Sequence, residues 1–200
     1  MKHALYDWWD MNTVLFLAIN GHSLHALDSV MVLASYIADI WSFPVYAGVW
    51  WLWLRRPRRS GAPWASVELQ LRRFVIGFAF AILAGAALKF GLDLPRPASV
   101  LGPAVVHVVG DFDPQHTLPS GHAMFAMLLV ASLWPLLSTA GRAAAAAYAL
   151  WVGVARVWIG AHFPADVAAG YLLGIACAAL ARMSLPSRAH AGGPVQSQSS

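Results

Sequence analysis

Two hundred residues suffice for one domain and leave no room for a second of any size. Hydrophobic residues make up 59% of the chain and charged residues 11%, against roughly 25% charged in a typical globular domain. This excludes a disordered or fibrous chain and most soluble enzymes, and points to an integral membrane protein. A single cysteine, Cys177, excludes an internal disulfide and any Cys-x-x-Cys metal or redox motif. Thirteen basic and nine acidic residues give a formal net charge of +4. Their placement decides whether that charge speaks of nucleic acid or of something else.

A helix needs about 20 residues to cross a hydrocarbon core of about 30 Å. The first 27 residues offer no such run. Residues 14–19 are apolar but too few, and Asn20, Gly21, His22 and His25 follow them. Asp7, Trp8, Trp9 and Asp10 suit a membrane interface, where Trp is enriched. Residues 1–27 therefore read as an interfacial helix, with a sixth spanning or re-entrant helix as the alternative. They lack the basic start, clean apolar core and cleavage site of a signal peptide. Five apolar runs follow: 29–54, broken only by Asp39; 74–88, reaching 92 with Lys89 at its end; 123–141; 143–155, continuing past Arg156 to 161; and 167–181. The expected fold is all-α, a membrane bundle of five transmembrane helices plus the N-terminal interfacial one, over residues 28–183. Residues 184–200 are Ser, Gly, Pro and Gln with little apolar content, and are expected to be disordered.

Lys and Arg collect on the cytoplasmic side of membrane helices. Arg55, Arg56, Arg58, Arg59, Arg72 and Arg73 place six of the 13 basic residues in one loop, which is expected to be cytoplasmic. Alternation puts residues 93–119 outside, Arg142 inside, 160–163 outside, and the tail with Arg182 and Arg188 inside. The N-terminus then lies outside. The net charge is mostly a topology signal, and no nucleic-acid partner is expected. Apart from Lys2, the basic residues left in the outer half are Lys89, Arg96 and Arg156. Charges at that depth mark a functional site by default; the plainer alternative is snorkelling toward the outer interface.

Around these cations the sequence reads Lys89-Phe-Gly-Leu-Asp-Leu-Pro-Arg96-Pro97, then Pro119-Ser120-Gly121-His122, then Arg156-Val-Trp-Ile-Gly-Ala-His162-Phe-Pro-Ala-Asp166. All three segments fall at the outer ends of expected spans. Three cations suit a dianion with three terminal oxygens: the Arg fork holds two oxygens at once, and Lys acts as a point charge. Ser120 is a favoured helix N-cap, and Gly121 permits close backbone approach. The first N–H groups of that helix make an anion site, with His122 in its first turn. Read alone, this tetrapeptide is also an ordinary helix start. His162 and Asp166, four apart, can meet at the start of the fifth span. An Asp that accepts from one imidazole nitrogen raises the basicity of the other. That makes His162 a nucleophile toward phosphorus, or else one half of an interfacial hydrogen bond.

Together the three segments resemble the signature of the type-2 phosphatidic acid phosphatase (PAP2) superfamily: Lys, six residues, Arg-Pro; Pro-Ser-Gly-His; Ser-Arg, five residues, His, three residues, Asp. The first two segments match in full. The third matches at Arg156, His162 and Asp166, with Ala155 in place of Ser. The resemblance spans residues 74–182. It implies a metal-independent phosphatase or pyrophosphatase working through phosphohistidine, with no cofactor. His162 would attack phosphorus and Asp166 orient it. His122 would protonate the leaving group and then activate water. Lys89, Arg96, Arg156, Ser120 and the Gly121 N–H would hold the phosphoryl oxygens. Ala155 removes one hydroxyl, worth about 0.5–1.5 kcal/mol, but no nucleophile, acid or cation.

By analogy with small bacterial relatives of this layout, the expected reaction is undecaprenyl diphosphate to undecaprenyl phosphate, outside the cytoplasmic membrane. Phosphatidylglycerophosphate or phosphatidate is the second reading and lipid A the third. A non-enzymatic lipid-phosphate binder is the alternative of another class; the histidines and Asp166 that it would not need are all present. The superfamily's soluble haloperoxidases are disfavoured by five apolar runs. Lipid substrate and bilayer are the expected partners, with no obligatory protein partner. His22, His25, His107 and His116 lack metal-ligand spacing and read as loop or interface residues, His116 being near enough to Ser120 to line the site mouth. Asp39 reads as a cap on a break in the first span or as a bonding group inside the bundle. Trp50, Trp51 and Trp53 read as an inner interfacial anchor beside Arg55, and Cys177 as packing.

Overall fold

The computed structural model describes residues 10–22, 24–55 and 64–186. The expectations for Lys2, Asp7, Trp8 and Trp9, for Arg56, Arg58 and Arg59, and for the tail beyond 186 lie outside the described residues. The described chain is helical, with no strand. The described helices are α1 (Met11–Asn20), α2 (Asp28–Ile37), α3 (Phe43–Leu54), α4 (Trp64–Leu92), α5 (Pro97–Leu101), α6 (Gly121–Leu133), α7 (Thr139–Trp158) and α8 (Pro164–Ser184).

Each apolar run folds as helix, but several boundaries differ from the sequence reading. The first run is two helices, α2 and α3, bent by 52° at residues 38–39. Asp39 causes the restart: its Oδ1 accepts the Trp41 N–H at 2.9 Å and caps a 3-10 turn at Ile40–Ser42. The run 123–141 ends early, at Leu133, because Pro135 has no N–H to continue the helix and forms a 3-10 turn at Trp134–Leu136. α7 accordingly starts at Thr139, where the Ser138 hydroxyl accepts the Gly141 N–H at 3.2 Å. α4 begins ten residues before Phe74. Its 29 residues amount to about 43 Å at 1.5 Å per residue, longer than a hydrocarbon core. Residues 64–73, expected as loop, are therefore helical. Arg72 pairs with Glu68 at 2.7 Å, and Arg73 donates to the Leu185 carbonyl.

Two helical segments, Ser66–Leu101 and Pro164–Ser184, are long and apolar enough to cross a membrane, and the bent pair α2–α3 makes a third if taken as one span. Large apolar side chains such as Leu83, Phe90, Leu150 and Leu172 face outward, as lipid contact requires. The protein is a membrane protein.

α8 is the centre of the bundle, packed on α6 and α4. The α6–α8 approach depends on small residues. A Cβ at Gly174 would lie 2.5 Å from the Met124 carbonyl oxygen, and one at Gly170 2.6 Å from that of Ser120. Such contacts are how membrane helices gain dispersion energy without a hydrophobic drive. The main core joins Phe74, Phe125, Leu128, Cys177 and Trp50, with the Phe43 and Phe78 rings stacked at 3.8 Å. Cys177 is packing, as expected. Trp50 is buried in this core instead of anchoring at the interface, whereas Trp51 and Trp53 are exposed and Arg55 lies over the Trp51 ring at 4.3 Å.

α1 packs on α7 and α8. Asn20 explains how. Its Nδ2 donates to the carbonyls of His107 (2.8 Å) and Trp158 (2.7 Å), and its Oδ1 accepts the His107 N–H at 2.8 Å. Asn12 accepts the Ala165 N–H at 2.9 Å. These amides dock α1 beside the ends of α7 and α8 where they meet the segment around His107.

Candidate active site

Backbone hydrogen bonds stitch the three motif segments together. Arg96 N–H donates to Pro114 (2.9 Å), Thr117 N–H to Leu94 (3.0 Å), Ser120 N–H to Asp166 (3.0 Å) and Val109 N–H to Ile159 (3.1 Å). Gly160 turns the chain after α7 with φ +75°, a conformation that favours glycine, and a Cβ there would meet the His107 carbonyl at 2.5 Å. The next carbonyl, of Ala161, accepts from Arg96 Nη1 at 2.8 Å. Lys89, in the last turn of α4, donates to the His116 carbonyl at 2.9 Å. His116 thus contributes its backbone, while its ring packs on Phe90.

Arg156, from the last turn of α7, is 4% exposed, so its charge needs partners. Its Nη1 donates to the Ser35 hydroxyl of α2 at 2.9 Å. The Phe112 ring lies against both guanidiniums, 5.4 Å from Arg156 and 5.6 Å from Arg96. Arg96, Arg156 and His122 line one cavity of about 530 Å³, with Asp39 and Phe112 in its wall. Two buried groups in this region, Ser120 Oγ and Arg156 Nε, have no hydrogen-bond partner among the described residues. Ser120 occupies the N-cap position without capping, contrary to the sequence reading. Buried polar groups left without partners call for a ligand, and phosphoryl oxygens suit both.

The His162–Asp166 pair also differs from the expected form. Asp166 Oδ2 lies 3.7 Å from His162 Nδ1, too far for a hydrogen bond. It accepts instead from the Phe163 N–H (2.8 Å) and from Thr117 Oγ1 (2.6 Å), and Thr117 Oγ1 is 3.3 Å from His162 Nδ1. Asp166 is committed to starting α8, so Thr117 bridges carboxylate and imidazole. Nδ1 faces this pair, which leaves Nε2 as the nitrogen for chemistry. Burial holds the His162 imidazole well below its ordinary range, helped by the charges of Arg156, Arg96 and Lys89. This disfavours the protonated ring.

The sequence reading missed Thr117, Phe112 and Ser35, which sit outside the motif spacing. Thr117→Val removes the bridge at nearly constant volume. A hydrogen bond to a charged group is worth about 1.5–3 kcal/mol, so kcat should fall about tenfold to a hundredfold with KM little changed. An unchanged kcat in steady-state assays would remove Thr117 from the site.

Ala155 is buried among Ala34, Ala38, Ala126 and Val152, where α2 closes on α7. The missing motif hydroxyl coincides with the approach of a helix that brings the Ser35 hydroxyl to Arg156. The four unassigned histidines are less uniform than expected. His107 Nε2 is 3.0 and 3.1 Å from the Asp28 oxygens, Trp158 Nε1 also donates to Asp28 at 3.0 Å, and the His25 ring lies 4.8 Å from that of His107. The ligand atoms of His25, Asp28 and His107 all fall within 4.8 Å of one another. The Asp28 oxygens are already engaged by His107 and Trp158, so the cluster fastens the start of α2 to the end of α7.

The family model of the PAP2 superfamily matches residues 70–188, more than half of the chain. The chain belongs to the PAP2 superfamily. Its curated relatives include the undecaprenyl-diphosphatase of Sulfolobus acidocaldarius, 29% identical over 170 residues (82% of this chain, 73% of the relative). They also include the undecaprenyl-diphosphatase BcrC of Bacillus subtilis, 26% identical over 182 residues (82% and 79%). Among solved structures, LpxE of Aquifex aeolicus superposes with a TM-score of 0.74 at 22% identity, over 86% of this chain and 95% of that one. The PAP2-type phosphatidylglycerolphosphate phosphatase of Bacillus subtilis gives 0.68 at 20% identity, over 88% and 85%. These structures share the PAP2 fold. The PAP2 match begins inside α4, so α1–α3 lie ahead of it.

Proposed function

We propose that this PAP2 protein hydrolyses a lipid phosphate or diphosphate at the outer face of the cytoplasmic membrane, converting undecaprenyl diphosphate to undecaprenyl phosphate. The observation that carries the reading is a buried His162, backed by Thr117 and Asp166 and close to the charges of Lys89, Arg96 and Arg156. The names of the two curated relatives support the substrate. The basic residues of 55–73 support five spans with that segment cytoplasmic and the site outside.

His162 Nε2 attacks phosphorus as the bond to the bridging oxygen breaks, and His122 gives that oxygen a proton. Water then attacks the phosphohistidine, His122 takes its proton, and inorganic phosphate leaves. The three cations, Ser120 and the Gly121 N–H balance charge on the equatorial oxygens, which is most of what phosphoryl transfer asks of a protein. This is the task a metal ion serves elsewhere, so the reaction runs without one.

Phosphate release from undecaprenyl diphosphate, phosphatidylglycerophosphate and phosphatidate in detergent tests the reading. The first should be fastest, at a rate unchanged by excess EDTA. A preference for another lipid would correct the substrate. Loss of rate in EDTA, restored by magnesium, would overturn the mechanism.

A further inference from the structure

Asp39 is the one acidic residue inside the five apolar runs, where an ionised carboxylate is costly and usually functional. Capping the turn at Ile40–Ser42 occupies only Oδ1. The other oxygen, Oδ2, lies 3.7 Å from Nε2 of His122. Asp39 shares the cavity wall with His122, Arg96 and Arg156, and its charge also acts on Arg156. The bend of 52° between α2 and α3 is what points this carboxylate at the site.

We propose that Asp39 is a positioning residue for His122, holding its Nε2–H so that Nδ1 faces the leaving oxygen. The proposal rests on the phosphatase reading above. Burial, and then the charges of Arg156, Lys89 and Arg96, disfavour a proton on the His122 ring. Asp39 is the carboxylate that faces it. A distance of 3.7 Å is longer than a hydrogen bond, and such contacts tighten in the substrate complex. In the first step the Nδ1 proton passes to the bridging oxygen as the P–O bond breaks, leaving His122 neutral with its Nε2–H on Asp39. In the second step Nδ1 takes a proton from water, and Asp39 offsets the resulting imidazolium. The helix pair α2–α3, which lies outside the PAP2 match, thus delivers Ser35 to Arg156 and Asp39 to His122.

The test compares two esters of the same phosphoryl group. Phosphatidate loses an alkoxide, which needs the proton, and p-nitrophenyl phosphate loses a stabilised phenolate, which does not. Asp39→Asn keeps an acceptor for the Trp41 N–H and removes the charge; Asp39→Glu keeps the charge. With the full chain in detergent, Asp39→Asn should lower kcat on phosphatidate about tenfold or more while KM stays within about twofold. The loss on p-nitrophenyl phosphate should be much smaller, and Asp39→Glu should recover part of the phosphatidate rate. Equal losses on both esters, a loss carried by KM, or no loss would overturn the role. A wild-type protein that releases phosphate from neither ester nor from undecaprenyl diphosphate would refute the phosphatase reading, and this proposal with it; one that cleaves undecaprenyl diphosphate but neither ester would overturn the role assigned to Asp39 alone.

Discussion

Replacing His162 by alanine should lower turnover by at least about four orders of magnitude, because a nucleophile has no substitute in a two-step displacement. Phosphate release by purified protein measures it, and a variant within tenfold of wild type would end the phosphohistidine mechanism. The same residue gives a pH expectation. Burial, then Arg156, Arg96 and Lys89, depress its affinity for a proton. A depressed value means that the ring stays neutral as pH falls through the range where free histidine, near 6.5, becomes charged. In a histidine NMR titration of the protein in detergent, the resonance absent from His162→Ala should not move between about pH 8 and pH 5. A midpoint near 6.5 would mean that the imidazole is neither buried nor faced by three cations.

Gly170→Ala should also be damaging, without altering any of the proposed catalytic groups. The added Cβ would sit 2.6 Å from the Ser120 carbonyl oxygen, 3.1 Å from Ala123 Cβ and 3.1 Å from Met124 N. All of these belong to the first turn of α6 or its cap, and backbone cannot step aside as a flexible side chain can. Overpacking of this kind costs about 1–3 kcal/mol. Here it also moves Ser120 and Gly121 away from the phosphoryl oxygens, and a misplacement of about 1 Å can cost a hundredfold in rate. The variant should show a lower thermal midpoint in detergent and a fall in kcat/KM beyond what the unfolded fraction explains. Wild-type stability and activity would mean that α6 and α8 are further apart than described.

The clustering of the cations, His122, His162 and Asp166 was legible because each motif packs its side chains into a short stretch of chain. Spacing within a helix or turn translates directly into neighbourhood. The partners that hold those groups were less legible because they come from elsewhere. Ser35 meets Arg156 across 121 positions, Thr117 meets Asp166 across 49, and Asp28 meets His107 across 79. No local periodicity encodes such meetings. One signal was available: Ser35 and Asp39 are polar, four apart and inside an apolar run, which is the mark of a helix face turned away from lipid. The early stop of the third run at Pro135 was legible too, since proline ends a helix whatever the hydropathy around it. Composition alone could not separate Trp50, which fills the core, from Trp51 and Trp53, because all three have the same amphipathic ring and differ only in the direction they leave α3.

The amide of Asn20 carries a consequence for biosynthesis. α1 leaves the ribosome early, but the Trp158 carbonyl that its side chain needs is 138 positions later, and the Ala165 N–H that Asn12 binds is 153 positions later. Until those segments emerge, the contacts to Trp158 and Ala165 cannot form. α1 can lock into place only when the last helix arrives. Docking of α1 is thus secured only after the segments around Trp158 and Ala165 have emerged.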